Sequence, residues 1–271
     1  MRLQIDATLD YYFPQRADVL LQLEVAQMPD QLLASDRLTV TSDTPLTPVS
    51  GQQGIGRRLW TAGEGRFEAR YTALVDVMRA VPDLAQLAAV PRRELPGRVI
   101  HYLWASRYCQ SDALKEFAVE QFGHLQGGAA VAAMAEWTRA SMRYEPGCSD
   151  ASTTAHDSFR QRQGICRDFA HVLISFVRAF DIPARMVSAY AWRLDPPDFH
   201  AVVEVYLDGG WHLVDATGLA PVEGLVRIGV GRDAGDISFM TVFGGSADLS
   251  RQEVSVKRVD PAADEAGSAA K

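Results

Sequence analysis

The sequence predicts an α+β protein, with a β-rich first part, a helical middle and a β-hairpin after it. Three observations carry this. Apolar and polar residues alternate in several stretches of the first 95 residues. From Phe169 the apolar residues recur at intervals of three and four. From His200 strand alternation returns and runs into Asp208–Gly209, a favoured two-residue hairpin turn.

The elements follow in order. "RLQIDATLDYYF", "LLQLEVAQM", "RLTVTSD" and "GRFEARYTALVDV" have strand texture. "SDTPLTPVSGQQGIG" and "TAGEG" between them are rich in turn residues. Residues 1–95 therefore read as a β-sandwich-like N-terminal domain. A proline-punctuated connector, "AVPDLAQLAAVPRRELPGRV", leads into a second domain, 96–262. There "SDALKEFAVEQFG" is a helix with Ser111 as its N-cap, and "GAAVAAMAEWTRASMRYEPG" a longer helix stopped at "EPG". "GVGRD", Gly229–Asp233, reads as a turn between C-terminal strands, since it lacks the phosphate-loop pattern and its lysine. Residues 263–271 are small and polar and are expected to be disordered.

The chain has 271 residues, 47% hydrophobic and 23% charged, which is ordinary for a globular protein. A formal charge of −7 argues against a nucleic-acid backbone as the main partner, because phosphate contact needs a basic face. No apolar run approaches the length of a membrane span, and the start has no secretory pattern. Cys109, Cys148 and Cys166 form neither a disulfide framework nor a zinc template. A reducing cytoplasm is the expected compartment.

Cys166 raises the chemical question. It can be packing, a metal ligand or a nucleophile. Phe169, Val172, Leu173, Phe176, Val177 and Phe180 make one apolar stripe, so the helix is expected to be buried along one side. Pro183 ends the run. The helix should begin near Ile165 or Cys166. Its unpaired N–H groups and positive dipole end then point at the thiol and stabilise thiolate, the reactive form. Arg167 adds positive charge and Asp168 opposes it locally. His171 is a poor base for this thiol: five positions along a helix it points roughly 140° away. It reads as a buried, hydrogen-bonded residue.

The hairpin supplies a better base. With Asp208 and Gly209 as the loop, Leu207 faces Gly210, Val202 faces Asp215 and His200 faces Thr217. His200 and Asp215 are then diagonal neighbours on one face, about 7–8 Å apart at the backbone and within side-chain reach. Val203, Val205, Leu207 and Val214 occupy the other face, ready to meet a helix. A carboxylate beside an imidazole fixes its tautomer and stabilises the imidazolium, which lets the ring take a thiol proton. The plainer reading makes His200 a strand-end residue and Asp215 a turn former. With Cys166 added, the three form a nucleophile, a base and an orienter.

"TTAHDSFRQRQGICRDFAHVLISFVRAFDIPARMVSAY" and "FHAVVEVYLDGGWHLVDATG" resemble the transglutaminase-like superfamily, of the bacterial type with a β-rich N-terminal domain. "VRIGVGRDAGDISFMTVFG" and "SRYCQSDAL" resemble the flanking segments of such proteins. The resemblance implies a papain/transglutaminase-like core, a cysteine helix packed on an antiparallel sheet. It also implies Cys166 as nucleophile, His200 as base and Asp215 as its orienter. Val202 and Ala216 stand where the family often has tryptophan and proline.

The expected activity is thiol-dependent acyl transfer at an amide or peptide bond of a peptide or protein substrate, hydrolytic in outcome. Crosslinking or deamidation is the alternative within this chemistry, and a non-catalytic peptide-binding module the alternative outside it. No cofactor, metal, nucleic acid or membrane is expected. The Cys166 N–H is one natural oxyanion donor, and Tyr144, Gln161 and Gln163 are candidates for a second. Trp192 either lines the groove beside His200 or packs in its loop. Cys109 and Cys148 read as incidental thiols. His101, His124, His156 and His212 have no partners at ligand spacing.

Overall fold

The computed structural model describes residues 1–259. The tail expected to be disordered, 263–271, lies outside them. The N-terminal part comprises β1 (Arg2–Leu21), β2 (Gln31–Val40), β3 (Thr47–Ser50) and β4 (Arg57–Val77). The helical middle holds α1 (Gly97–Ile100), α2 (Ser111–Phe122), α3 (Gly127–Ser141), β5 (Arg143–Tyr144), α4 (Ala155–Gln161), β6 (Gln163–Gly164) and α5 (Cys166–Ala179). The strands β7 (Ala184–Ala191), β8 (Phe199–Leu207), β9 (Gly210–Val214) and β10 (Leu225–Gly231) follow. Then come α6 (Ala234–Ile237), β11 (Met240–Phe243) and β12 (Asp248–Val259).

The architecture is α+β with antiparallel main sheets. β1 and β4 are long, and Leu3, Ile5, Ala7, Leu9, Tyr11 and Phe13 alternate into the core. Pairing between them breaks at Phe13–Ala17, where Pro14 has no N–H to offer the ladder. β2 and β3 pair with β4, while β11 and β12 pair with β1. The C-terminal strands, expected within the second domain, therefore complete the N-terminal six-stranded sheet. Tyr190, Val226 and Ile228 of the second sheet pack into the same core as that sheet's apolar face. The two β layers thus face each other across the expected domain boundary.

The second sheet has the order β10-β7-β8-β9. Its register matches the hairpin reading, with Leu207 opposite Gly210 and Val203 opposite Val214. Asp208 (φ 49°) and Gly209 (φ 77°) both adopt positive φ, as a primed two-residue turn requires. Val203, Val205, Leu207 and Val214 share a core with Phe169, Val172, Leu173, Phe176 and Val177 of α5.

The helix differs from its expected one-sided burial, for every residue from Asp168 to Ala179 is buried. The sheet covers one side, and α2, α3 and α4 cover the rest. Smaller differences concern helix ends. Gln110, not Ser111, is the N-cap of α2, and Ser111 is buried as its first helical residue. α3 stops at Ser141, before "EPG", because Arg143 and Tyr144 extend to pair in parallel with Gln163 and Gly164. The glycines of "GVGRD" lie in β10, and Asp233 caps α6 by accepting from the Gly235 N–H.

Candidate active site

Cys166 is the first residue of α5, with Ile165 as N-cap. Asp168 holds this helix start in place. Its Oδ2 accepts from the Ile165 N–H at 2.9 Å and from the Ser149 hydroxyl at 2.6 Å. Arg167 donates to its Oδ1 at 3.1 Å, to Ser149 and to the Asp150 carbonyl. The charge of Arg167 is therefore engaged by Asp168. Gly164 makes this closeness possible, since a Cβ there would lie 2.5 Å from the Asp168 Cβ. The Cys166 thiol is partly buried and in no disulfide.

His200, at the start of β8, and Asp215, just beyond β9, meet as the register requires. Nε2 of His200 lies 3.0 Å from Oδ2 of Asp215, and both side chains are almost fully buried, at 1% and 3% exposure. Asp215 Oδ1 accepts from the Thr217 N–H and hydroxyl at 2.9 and 2.7 Å, and Oδ2 also accepts from the Ala220 N–H at 3.0 Å. Burial alone would raise this carboxyl, but the bond and charge of His200 and the Thr217 donors overcome it and hold it below the usual carboxylate range. It remains ionised and its acceptors are filled.

Burial also works against a charged His200. The hydrogen bonds and charges of Asp215 and Cys166 outweigh it and push the imidazole up to about 10. With Nε2 facing Asp215, Nδ1 is the ring atom left to exchange a proton with the thiol. The structure thus brings Cys166, His200 and Asp215 together. His171 faces away from this group. It is fully buried, its Nε2 accepts from the Ala234 N–H at 3.2 Å, and its ring stacks on Tyr108.

Of the three second-donor candidates, Tyr144 is the one at the thiol. Pairing of β5 with β6 sets it opposite Gly164, and its ring centroid lies 6.0 Å from that of Phe169. Burial and the charge of Cys166 push its hydroxyl up to about 12, and the Cys166 backbone N–H pulls it back in part. Gln163 instead accepts from Arg143 at 3.0 Å, and Gln161 is exposed at the end of α4. Trp192 is packing: Gly224 lies against it and Arg193 covers its ring. Cys109 is fully buried and burial pushes its thiol up to about 12. A cavity of about 610 Å³, lined by Val81, Pro82, Leu84, Trp211 and Leu213, reaches Asp215. Among the described residues no group of three or more His, Cys, Asp or Glu is arranged to hold a metal ion. No described helix is long and apolar enough to cross a membrane.

The family model for the transglutaminase-like superfamily matches residues 116–216, a span containing all three side chains. A crystal structure from Cytophaga hutchinsonii, provisionally named a cysteine protease, is 34% identical, with a TM-score of 0.91 over 96% of this chain and 91% of that one. The chain belongs to the transglutaminase-like superfamily. An uncharacterized Mycobacterium leprae protein is 30% identical over 117 residues, 40% of this chain. The match spans about 42% of that curated relative's length. The periplasmic domain of TgpA from Pseudomonas aeruginosa is 18% identical over 80% of this chain and 91% of its own, with a TM-score of 0.45.

In this transglutaminase-like protein, sequence reasoning missed a buried ionic cluster on the sheet that carries His200. Glu204 accepts from Arg185 at 2.7 Å and from Arg227 at 2.6 Å. Arg227 and Arg79 both bind Asp30, at 2.7 Å each. The one signal was a glutamate inside a mostly apolar strand. A charge buried there needs partners, and these come from sequence-distant segments.

Proposed function

We propose that the protein is a cysteine-dependent acyl-transfer enzyme acting on amide or peptide bonds, with water as acceptor: a peptidase or amidase. The observation that carries this reading is the buried 3.0 Å contact between His200 and Asp215, on a ring that the Cys166 thiol also acts on. That constellation is suited to covalent catalysis by a thiolate–imidazolium pair.

In the proposed reaction Sγ of Cys166 bonds to the carbonyl carbon, and the displaced electron pair moves onto the oxygen. The Cys166 N–H and the Tyr144 hydroxyl donate to that oxyanion. As the carbon–nitrogen bond breaks, His200 Nδ1–H gives its proton to the leaving amine, and a thioester remains. His200 then takes a proton from water. The resulting hydroxide attacks the thioester, and collapse releases the acid and restores the thiol. Asp215 keeps Nε2–H facing it throughout and stabilises the imidazolium. A peptide or protein substrate and a cytoplasmic setting belong to the same reading; three free thiols fit a reducing compartment.

The test is incubation with mixed peptides, with and without a primary amine, followed by mass spectrometry. Hydrolysis products that vanish in Cys166→Ser and His200→Ala are expected. Asp215→Asn should lower kcat by about 10²–10⁴. Iodoacetamide labelling of Cys166 should follow pH in the wild type and lose that dependence in His200→Ala. Labelling indifferent to His200, with no bond cleaved, would identify a binding module instead.

A further inference from the structure

β9 is the edge strand of the second sheet. In an antiparallel pair, residues alternate between exchanging both backbone hydrogen bonds and exchanging none. Leu207 and Gly210 flank the two-residue loop and form a bonded pair, so His212 with Val205 and Val214 with Val203 are bonded pairs as well. Trp211 and Leu213 therefore turn their N–H and C=O groups away from β8. Among the described residues nothing bonds to these four groups. The whole run from Trp211 to Asp215 lines the cavity of about 610 Å³, a size within the roughly 300–1,000 Å³ of ligand sites. Another wall is the connector, where Val81, Pro82 and Leu84 offer apolar contact and Pro82 has no N–H with which to pair. Arg79, Arg227 and Asp30 line the same cavity. They belong to the buried ionic cluster, which sets three guanidinium groups, Arg79, Arg185 and Arg227 at 7%, 1% and 5% exposure, against two carboxylates, Asp30 and Glu204. One positive charge is left over within the cluster. Nε and Nη1 of Arg227 hold Glu204 and Asp30, and its Nη2 donates to no hydrogen bond among the described residues. A buried charge without a counter-charge is costly, so this wall favours an anion.

We propose that this cavity binds an extended peptide segment bearing a carboxylate, which pairs with the free edge of β9 and sets its carboxylate against Arg79 and Arg227. The strand edge supplies main-chain hydrogen bonds whatever the peptide sequence, and the surplus positive charge selects an acidic one. A C-terminal carboxylate and an acidic side chain share the required chemistry. Asp215 lines the cavity too, so an occupied site touches the residue bonded to His200. The inference does not rest on Cys166 being the reactive thiol.

The experiment uses the full chain with Cys166→Ser, so that no peptide is consumed, and three libraries of acetylated hexapeptides of random sequence. The first has a free C-terminal carboxylate and no acidic side chain. The second has an amidated end and one glutamate, and the third an amidated end and no acid. Peptides retained through gel filtration are identified by mass spectrometry. Retention from the first or second library about tenfold or more above the third is expected. Enrichment of the first assigns the carboxylate to a chain end, and enrichment of the second assigns it to a side chain. The best retained peptide should slow hydrogen exchange at the Trp211 and Leu213 amides. Arg79→Gln should weaken its binding about tenfold to hundredfold, and Arg79→Lys should recover part of the loss. Arg79 also holds Asp30, so a second variant avoids the buried cluster. Val81→Trp changes a wall position that is 51% exposed and should block binding by filling the cavity. Equal retention from all three libraries, or none from any, overturns the proposal. So does binding that leaves exchange at Trp211 and Leu213 unchanged, or that survives both Arg79→Gln and Val81→Trp.

Discussion

His171 and His200 are both buried, yet their surroundings drive them in opposite directions. His171 has no acid partner in hydrogen-bond contact, and burial pushes it down to about 3. Its unfolded counterpart titrates near 6.5. Between those values the unfolded chain binds a proton that the folded chain refuses, so stability falls as pH drops, by up to about 1.4 kcal/mol per unit. His200 is raised to about 10 by Asp215 and Cys166. Its contribution is fully present below about 6.5 and is lost as pH rises toward about 10. His171→Gln, which keeps an acceptor for the Ala234 N–H, should flatten the stability curve between about pH 6 and 4. Urea unfolding across that range checks it, and an unaltered acid slope would refute the assignment. The place of His171 inside its helix was legible from helical geometry. Its neutral state depends on α6 and Tyr108, which no local pattern reveals.

At the scale of elements, the start of α5 and the β8–β9 hairpin determine the site. The hairpin was readable because Asp208–Gly209 sets the loop, and a loop of known length sets every pair behind it. The helix start was readable because an apolar stripe and a terminating proline bound it. What holds the helix start was hidden. Asp168 reaches back to Ile165 and out to Ser149 on a loop 19 residues earlier. A methyl on Gly164 would strike the Cβ of Asp168, whose carboxylate is pinned from three directions, so the side chain has little room to yield. Gly164→Ala should cost about 1–3 kcal/mol and slow iodoacetamide labelling of Cys166. Thermal melting and the labelling rate test this; wild-type values for both would show that the helix start relaxes freely.

Across the whole molecule, the two β layers are joined by charge as well as by apolar packing. Glu204 is fully buried between Arg185 and Arg227, while Asp30 and Gln53 reach in from the N-terminal loops to the same arginines. Removing the glutamate leaves the buried Arg185 with no acidic partner and Arg227 with Asp30 alone. Glu204→Ala should therefore destabilise the protein by about 3–5 kcal/mol, although Glu204 takes no part in the proposed chemistry. Urea unfolding measures this, and a loss below about 1 kcal/mol would show that the arginines find other partners.

The sequence by itself determined the local arrangements: a helix opening at Cys166, a primed hairpin, and a register that sets His200 beside Asp215. These depend on backbone periodicity and turn geometry, which act over a few residues. Only the tertiary structure decided that β11 and β12 would complete the N-terminal sheet, that α5 would be enclosed on every side, and that Tyr144 would border the thiol. Those outcomes come from pairing and burial between segments far apart along the chain. There many partners are compatible with the same local pattern, and only packing of the whole selects among them.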